Sequence, residues 1–421
     1  MFRATEAALQ IRFLVREKTL HSEHEPEHAK IAPAAQKRCN FFSFFNFPLA
    51  VLTGVWYHDG HAALLHCEHT VRKGGSDMSN VKDFLRKYTM VIALVIVFIL
   101  FCALTDGRLL FAQNMSNLML QNGYVLVLAC GMLLCILTGG NIDLSVGSVI
   151  CFVGGVAAVL IGSKGFNPFI TILLCLVIGL LVGVWQGYWI GYKRIPPFIT
   201  TLAGMFIFRG FGRLILDNKT VSIQDKGFLN VFTSYINIPG LDDGKKYSAL
   251  IVGVLIACYI IFSTMRSRAN KAKKGYRQNT AFSDYSKAVI IAAVILWYCY
   301  KLFQYKGISV MLVWVVAICM IYNFITSKTA FGRYFYAIGG NEKATQLSGI
   351  DTNKVYFIAY VNMGLLAGLA GLLCAARVGS VNGSTGTSFE MDAIGSCFIG
   401  GASAYGGSGT VGGVVIGALL L

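Results

Sequence analysis

The sequence predicts an all-α, polytopic integral membrane bundle in which some helices are broken or re-entrant. Three observations carry this. Hydrophobic residues make up 55% of the 421-residue chain and charged residues only 13%, about half the charge of a soluble domain. Apolar runs of roughly eighteen residues recur, each long enough for a helix to cross a hydrocarbon core. Between two of them stands TGGNIDLSVGSV, residues 138–149, where Asn141 and Asp143 interrupt the apolar pattern.

The elements follow in order. A basic amphipathic lead (Lys82, Arg86, Lys87) begins at Met78. Spans are expected at 89–105, 119–138, 147–163, 168–191, 198–216, 248–265, 288–303, 308–326 and 356–376. A small-residue re-entrant segment follows at 393–405. The last apolar run starts at Val411 and reaches only Leu421, so a truncated tenth span is expected.

Residues 1–77 differ in composition. All seven histidines lie at or before His69. Lys73-Gly74-Gly75 back-translates to a purine-rich run of the kind that precedes a bacterial start codon, and Met78 follows closely. Residues 1–77 are therefore expected to be a disordered, mis-assigned upstream extension of a permease-type domain over 78–421. His58, His61, His66, Cys67 and His69 match no zinc spacing, so no metal site is expected. Most of the twelve cysteines sit inside apolar runs, where they act as small hydrophobes.

A net charge of +16 does not point to nucleic acid, because the cations cluster in short loops between spans. Lysine and arginine placed there orient a chain in the bilayer. With the Met78 end cytoplasmic, the inner segments hold sixteen of them against about ten outside. The run Arg266–Lys274 is expected to touch anionic membrane lipid. No G-x-x-x-x-G-K-[ST] loop occurs, and Gly407, Gly409 and Gly412 form a G-x-G-x-x-G that lacks the strand and helix of a dinucleotide site. With no histidine after His69 and no H-E-x-x-H, an enzyme is not expected.

Two segments carry function. In the first, Gly139-Gly140 end one helix, and Asn141, Asp143 and Ser145 either cap the next or line a polar pathway. In the second, residues 331–355, a Gly339-Gly340 turn and an Asn341 cap lead into the amphipathic stretch Glu342–Leu347, closed by Ser348-Gly349. Its apolar side (Ala344, Leu347, Ile350) calls for a partner's groove or rests on the membrane surface. Thr200 and Thr201 follow the Pro196-Pro197 helix start as further pathway candidates. Arg209, inside a span, faces a polar interior or snorkels to the interface. Residues 396–415, with Gly400-Gly401, echo the 138–149 pattern, as in transporters built from repeats with broken helices.

The segments GGNIDLSVGSV, PPFITTLAGMFIFRG (196–210), AIGGNEKATQLSGID and IGGASAYGGSGTVGGVVIGALLL (399–421) resemble the sugar permeases of bacterial ABC importers, the ribose/xylose/galactose branch. The likeness runs from about residue 90 to the end, and the basic 266–287 insertion is most like the xylose and multiple-monosaccharide permeases. Residues 1–77 have no place in that pattern. The resemblance implies two permease copies in the bacterial cytoplasmic membrane, an extracytoplasmic sugar-binding protein, and a separate ATPase that binds ATP and Mg. No cofactor is then expected in this chain. Carried onto these residues, it implies an ATPase-coupling set of Gly339, Gly340, Asn341, Glu342, Ala344, Thr345, Leu347, Ser348 and Gly349. The implied translocation set is Asn141, Asp143, Ser145, Thr200, Thr201, Arg209, Gly400 and Gly401, and the binding-protein docking set is Arg377, Glu390 and Asp392. The other reading is an ion-gradient-driven secondary transporter of a small polar solute. Only Asp143 is expected as a carboxylate near the membrane core, which counts against it.

Overall fold

The computed structural model describes residues 76–421 apart from 241, 243, 244 and 276–279, with residues 76–88 as helix alone. The proposed extension 1–77 and its histidines lie outside the described residues, save for the last two positions. The elements, in order, are α1 (Ser76–Leu104), α2 (Ala112–Leu137), α3 (Val146–Ala157), α4 (Pro168–Gly187) and α5 (Pro197–Ile215), then β1 (Val221–Ser222) and α6 (Lys226–Phe232). They continue with α7 (Tyr247–Lys273), α8 (Ala281–Phe303), α9 (Val310–Lys328), α10 (Ala330–Gly340), α11 (Glu342–Leu347) and α12 (Thr352–Val378). The chain closes with β2 (Ser380–Val381), α13 (Phe389–Ile399) and α14 (Val411–Leu420). Single π-helical turns extend α3 to Ser163 and α4 to Tyr192. Among the described residues, eight helices are long and apolar enough to cross a membrane.

Burial sorts the spans. The apolar windows of α2 and α12 are 78% and 72% buried, whereas those of α4, α5, α7, α8 and α9 are 22–28% buried. The first two form the centre with α3, and the others present Phe169, Leu173, Leu255 and Phe262 outward. Hydrocarbon tails tolerate such surfaces, so packing between the spans has to come from close backbone approach. Here it does. Gly179, Gly183, Gly187 and Gly191 recur every fourth residue along α4 and its π turn, and they line one ridge. Each abuts backbone of α12: Gly364 and Gly368 meet Gly179, while the carbonyls of Tyr360, Phe357 and Asn353 meet the next three.

The bundle has two ends. One carries the β1–β2 ribbon, where Val221 pairs with Val381 and Ser222 with Ser380 in antiparallel register. The other carries Arg194 and four linking segments, 138–145, 193–196, 339–351 and 400–410, the third holding the end of α10 and all of α11. α13 and α14 pack against each other and against α2, Cys397 Sγ lying 3.3 Å from the Ala129 carbonyl. The expected re-entrant segment 393–405 is thus the end of α13 and the turn that follows it.

Two expectations are corrected. The basic stretch 266–287 is not an open loop: α7 continues to Lys273 and α8 begins at Ala281. Ala, Lys and Arg favour helix, and cations suit its C-terminal dipole. Arg268 bonds Asp284 across this hairpin and covers the Tyr285 ring. Likewise Gly339-Gly340 are no turn but the last residues of α10.

The glycine ridge yields a prediction. At Gly183 a Cβ would sit 2.6 and 2.7 Å from the Tyr360 and Val361 carbonyl oxygens. That overpacking costs about 1–3 kcal/mol and outweighs the ~1 kcal/mol that alanine gains as a helix former. Gly183→Ala should lower the thermal unfolding midpoint in detergent. Gly210→Ala, with nothing within 4 Å, should leave it unchanged or raise it.

Candidate coupling and translocation site

The four linking segments at the Arg194 end meet each other. Gly407 N–H donates to the Leu137 carbonyl at 3.1 Å, closing the exposed C-terminus of α2 with the loop between α13 and α14. A side chain on Gly140 would strike the Ala404 carbonyl, one on Gly406 would strike the Gly139 backbone, and one on Gly339 would strike both Leu137 O and Gly407 N. Gly140, Gly406 and Gly407 have φ of 75°, 83° and 71°, where L side chains are strained. The two segments whose sequences echo each other, 138–149 and 396–415, are therefore in contact through their glycines.

From Gly140 the chain turns back into the bundle without helix. Asn141 Nδ2 bonds Thr138 Oγ1 at 3.2 Å. Asp143, 1% exposed, accepts from Ser145 N at 2.8 Å and from Ser145 Oγ at 2.7 Å. Ser145 Oγ in turn accepts from Gln186 Nε2 at 2.6 Å. Asp143 thus holds the start of α3, whereas Ser145, at the N-cap position itself, makes no cap bond with its side chain. On α5, Gly204 faces this group, since a Cβ there would lie 2.8 Å from Gln186 Nε2 and 3.4 Å from Ser145 Cβ. Thr200, one turn earlier, is buried with a hydroxyl that has no partner among the described residues, and the same holds for Ser148 Oγ on α3. Thr201 is buried against its own helix, 3.5 Å from the Phe198 carbonyl.

The remaining pathway candidates are placed differently. Arg209 Nη1 donates to the Thr385 carbonyl at 2.6 Å and so pins the 382–388 loop, whose Gly383 also packs on the Arg213 side chain. Gly400 is a packing contact: a Cβ would collide with the Gly413 carbonyl at the start of α14. Gly401 supplies a left-handed turn at φ 87° with open space around it.

The coupling candidates form one projecting unit. Asn341 caps α11 by accepting from Ala344 N at 3.0 Å. Thr345 Oγ1 and Ser348 Oγ tie back to the Asn341 and Ala344 carbonyls, and Gly349 ends the turn at φ 81°. Asp351 then caps α12, its Oδ1 accepting from Lys354 N at 3.1 Å. That backbone N–H holds its carboxyl below the usual carboxylate range. Thr345 is buried against the bundle, while Ala344 is exposed and Leu347 is 90% exposed. Arg194 fastens the unit: its guanidinium bonds Glu342 Oε1 at 2.6 Å, Thr352 Oγ1 at 2.7 Å and Asn353 Oδ1 at 2.8 Å, and lies 4.9 Å from the Tyr356 ring centroid.

At the ribbon end, Arg377 lines a 290 Å³ cleft with Asn117, Leu120, Gln121 and Thr233. Glu390 is not on the surface beside it. It reaches Gly147 at the start of α3, and its buried Oε2 has no partner among the described residues. Asp392 is half-buried on α13. No group of three or more metal-binding side chains occurs among the described residues.

The family model for the permease component of branched-chain amino acid transport systems matches residues 114–421, which hold all the site residues described above. The chain belongs to this permease family. The xylose transport system permease protein XylH of Haemophilus influenzae is 36% identical over 338 residues, 80% of this chain and 88% of its own length. XylH of Escherichia coli K12 is 34% identical over 337 residues, 80% and 84% of the two chains. The ribose import permease protein RbsC of the same strain is 30% identical over 346 residues, 81% and 85%. No solved structure matches the chain.

Three residues of the permease were not evident from sequence. Gln186 lies in an apolar run, and only its rarity as an amide inside a span could have marked it. Arg194 read as a topology charge, and Tyr356 as the first apolar residue of a span. Their roles depend on partners 41, 148 and 218 positions away in sequence, beyond the reach of any local pattern.

The contact between turns can be tested. Gly339→Ala should destabilise the permease, seen as loss of the monodisperse species after heating in detergent, because Leu137 O and Gly407 N cannot both move aside. Gly340→Ala, with nothing within 4 Å, should behave as wild type.

Proposed function

We propose that this permease is the membrane-spanning subunit of an ATP-driven monosaccharide importer in the bacterial cytoplasmic membrane. In this reading the Arg194 end faces the cytoplasm, and α11 docks into a separate ATPase that binds ATP and Mg. The observation that carries it is α11 itself. A six-residue helix is capped at its start, closed by a glycine and clamped by Arg194, yet leaves Leu347 90% exposed. A rigid helix with an uncovered apolar tip suits a hydrophobic groove on a partner.

Charge supports the orientation, since Lys193, Arg194, Lys328, Arg333, Lys343 and Lys354 gather at this end. The substrate class rests on the relatives, whose names are those of xylose and ribose systems. The rival reading, a transporter driven by an ion gradient, has no support among them. In the proposed assembly two copies of the permease pair, and a sugar-binding protein delivers cargo at the ribbon end, where Arg377 and Asp392 are available for docking. Glu390, turned inward at α3, joins the pathway instead.

Transport then follows from a biased equilibrium. Closure of the ATPase shifts α11, and the bundle exchanges between states open to either side. The pathway group Asp143, Ser145, Gln186 and Thr200 offers hydroxyl and amide contacts to a sugar without a deep site, as an importer that must release its cargo requires. Gly139-Gly140 and Gly401 give the loops around it their turns.

Proteoliposomes containing the permease and its ATPase test the proposal. Uptake of a pentose should need both ATP and the binding protein. Uptake by the permease alone on a proton or sodium gradient would contradict it. Leu347→Asp should cut ATP-driven uptake by about tenfold or more, as expected for the loss of a buried interface anchor, with unchanged amounts of permease in the membrane.

A further inference from the structure

The link between α11 and the broken-helix segment runs through one hydroxyl. Tyr356 Oη lies 3.0 Å from the Thr138 carbonyl oxygen and 3.2 Å from Glu342 Oε2. Both neighbours are acceptors, and a phenol has a single proton to donate. The two bonds therefore compete: a proton directed at one weakens the other. The carboxylate is the stronger acceptor of the two.

Each competitor belongs to a different moving part. Glu342 is the first residue of α11, and its other oxygen is held by Arg194 at 2.6 Å. Arg194 belongs to the 193–196 turn between α4 and α5, and sits at φ 56°, a strained setting for a non-glycine residue. Its bonds to Thr352 and Asn353 and its place over the Tyr356 ring fix it there. Thr138 is the C-cap of α2, and its carbonyl precedes Gly139-Gly140 and the descent to Asp143. Its Oγ1 also accepts from Asn141.

Resting on the importer reading above, we propose that Tyr356 is a one-proton switch between α11 and segment 138–145, making Tyr356 and Arg194 positioning residues for transport. With α11 seated, Glu342 draws the proton and the Thr138 carbonyl is held weakly. When a docked partner pulls α11 and Glu342 aside, the proton passes wholly to Thr138, and segment 138–145 is held more firmly to α12. A displacement at the surface thus becomes a change in hold on the pathway loop. The other tyrosine on this face, Tyr360, reaches the Ile142 carbonyl only at 3.5 Å, so Tyr356 is the principal clasp.

The test reads backbone hydrogen exchange by mass spectrometry on the full-length permease in nanodiscs, with no partner present. Glu342→Ala should slow exchange over 139–145 by about fivefold, and Tyr356→Phe should speed it by a similar factor, the scale of one hydrogen bond. In Tyr356→Phe, exchange over 343–347 should stay as in wild type, because Asn341 and Arg194 still hold α11. Should Glu342→Ala fail to fold, Glu342→Gln, a weaker neutral acceptor, should give a smaller slowing of the same sign. Opposite signs for the two variants support the switch. Equal signs, or no change over 139–145, overturn it, since a merely structural cluster loosens everywhere when either member is cut. In the reconstituted importer, Tyr356→Phe should lower the sugar moved per ATP hydrolysed, and an unchanged ratio overturns the transport role. Failure of the wild-type permease to support ATP-driven uptake would count against the importer reading alone, because the exchange experiment needs no ATPase.

Discussion

A backbone amide or carbonyl that leaves a helix at bilayer depth must find a partner inside the protein. That requirement shapes everything at the functional end of this permease. After Gly140, whose N–H still bonds the Ile136 carbonyl at 2.7 Å, the chain returns into the bundle without helical bonds until Ser145, and the groups freed around this break are met one by one. The Leu137 carbonyl takes Gly407 N–H, the Thr138 carbonyl takes Tyr356 Oη, and Ser145 N–H takes the Asp143 carboxylate. In return the loop between α13 and α14 is stitched down, the Gly409 carbonyl accepting from Tyr336 Oη at 2.8 Å. Each break in a helix is thus sealed largely by groups from another element, and neither could stand alone.

This reciprocity explains why glycine crowds these turns. Backbone has to meet backbone, and a Cβ at Gly140, Gly339 or Gly406 would hold the partners apart. A second kind of glycine contact, the ridge of α4 against α12, serves the opposite purpose. There long helices lock along their length by close packing, giving a stiff frame. The turns at the Arg194 end connect through single hydrogen bonds and are the natural place for movement. Arg194 and Tyr356 stand where this frame meets those turns.

Sequence disclosed the class and most of the spans, because apolar periodicity and length report directly on lipid exposure. It found α11 through a cap, an amphipathic turn and a closing glycine, all of them local signals. It also marked the echo between 138–149 and 396–415, though not that the two segments touch. The extension of α7 through Lys273 was hidden because charge ended the apolar run before the helix ended. Glu390 looked like an outer-face charge, since nothing near it in sequence announces that the 382–388 loop folds back toward Gly147. The Asp143–Ser145–Gln186 chain was half legible: Asp143 and Ser145 sit in one motif, while Gln186 arrives from another helix. What local pattern could not supply was every contact made across the bundle, and those contacts fix the geometry of the site.

The central claim is that α11 is a docking surface for an energy-supplying partner and passes its movement to the broken helices. A photo-crosslinking amino acid at position 347, introduced in cells that make the whole system, tests this most directly, with position 169, exposed on the outer side of α4, as control. The account predicts a covalent adduct between position 347 and an ATP-hydrolysing subunit, and none from position 169. Adducts with lipid alone at position 347 would contradict it.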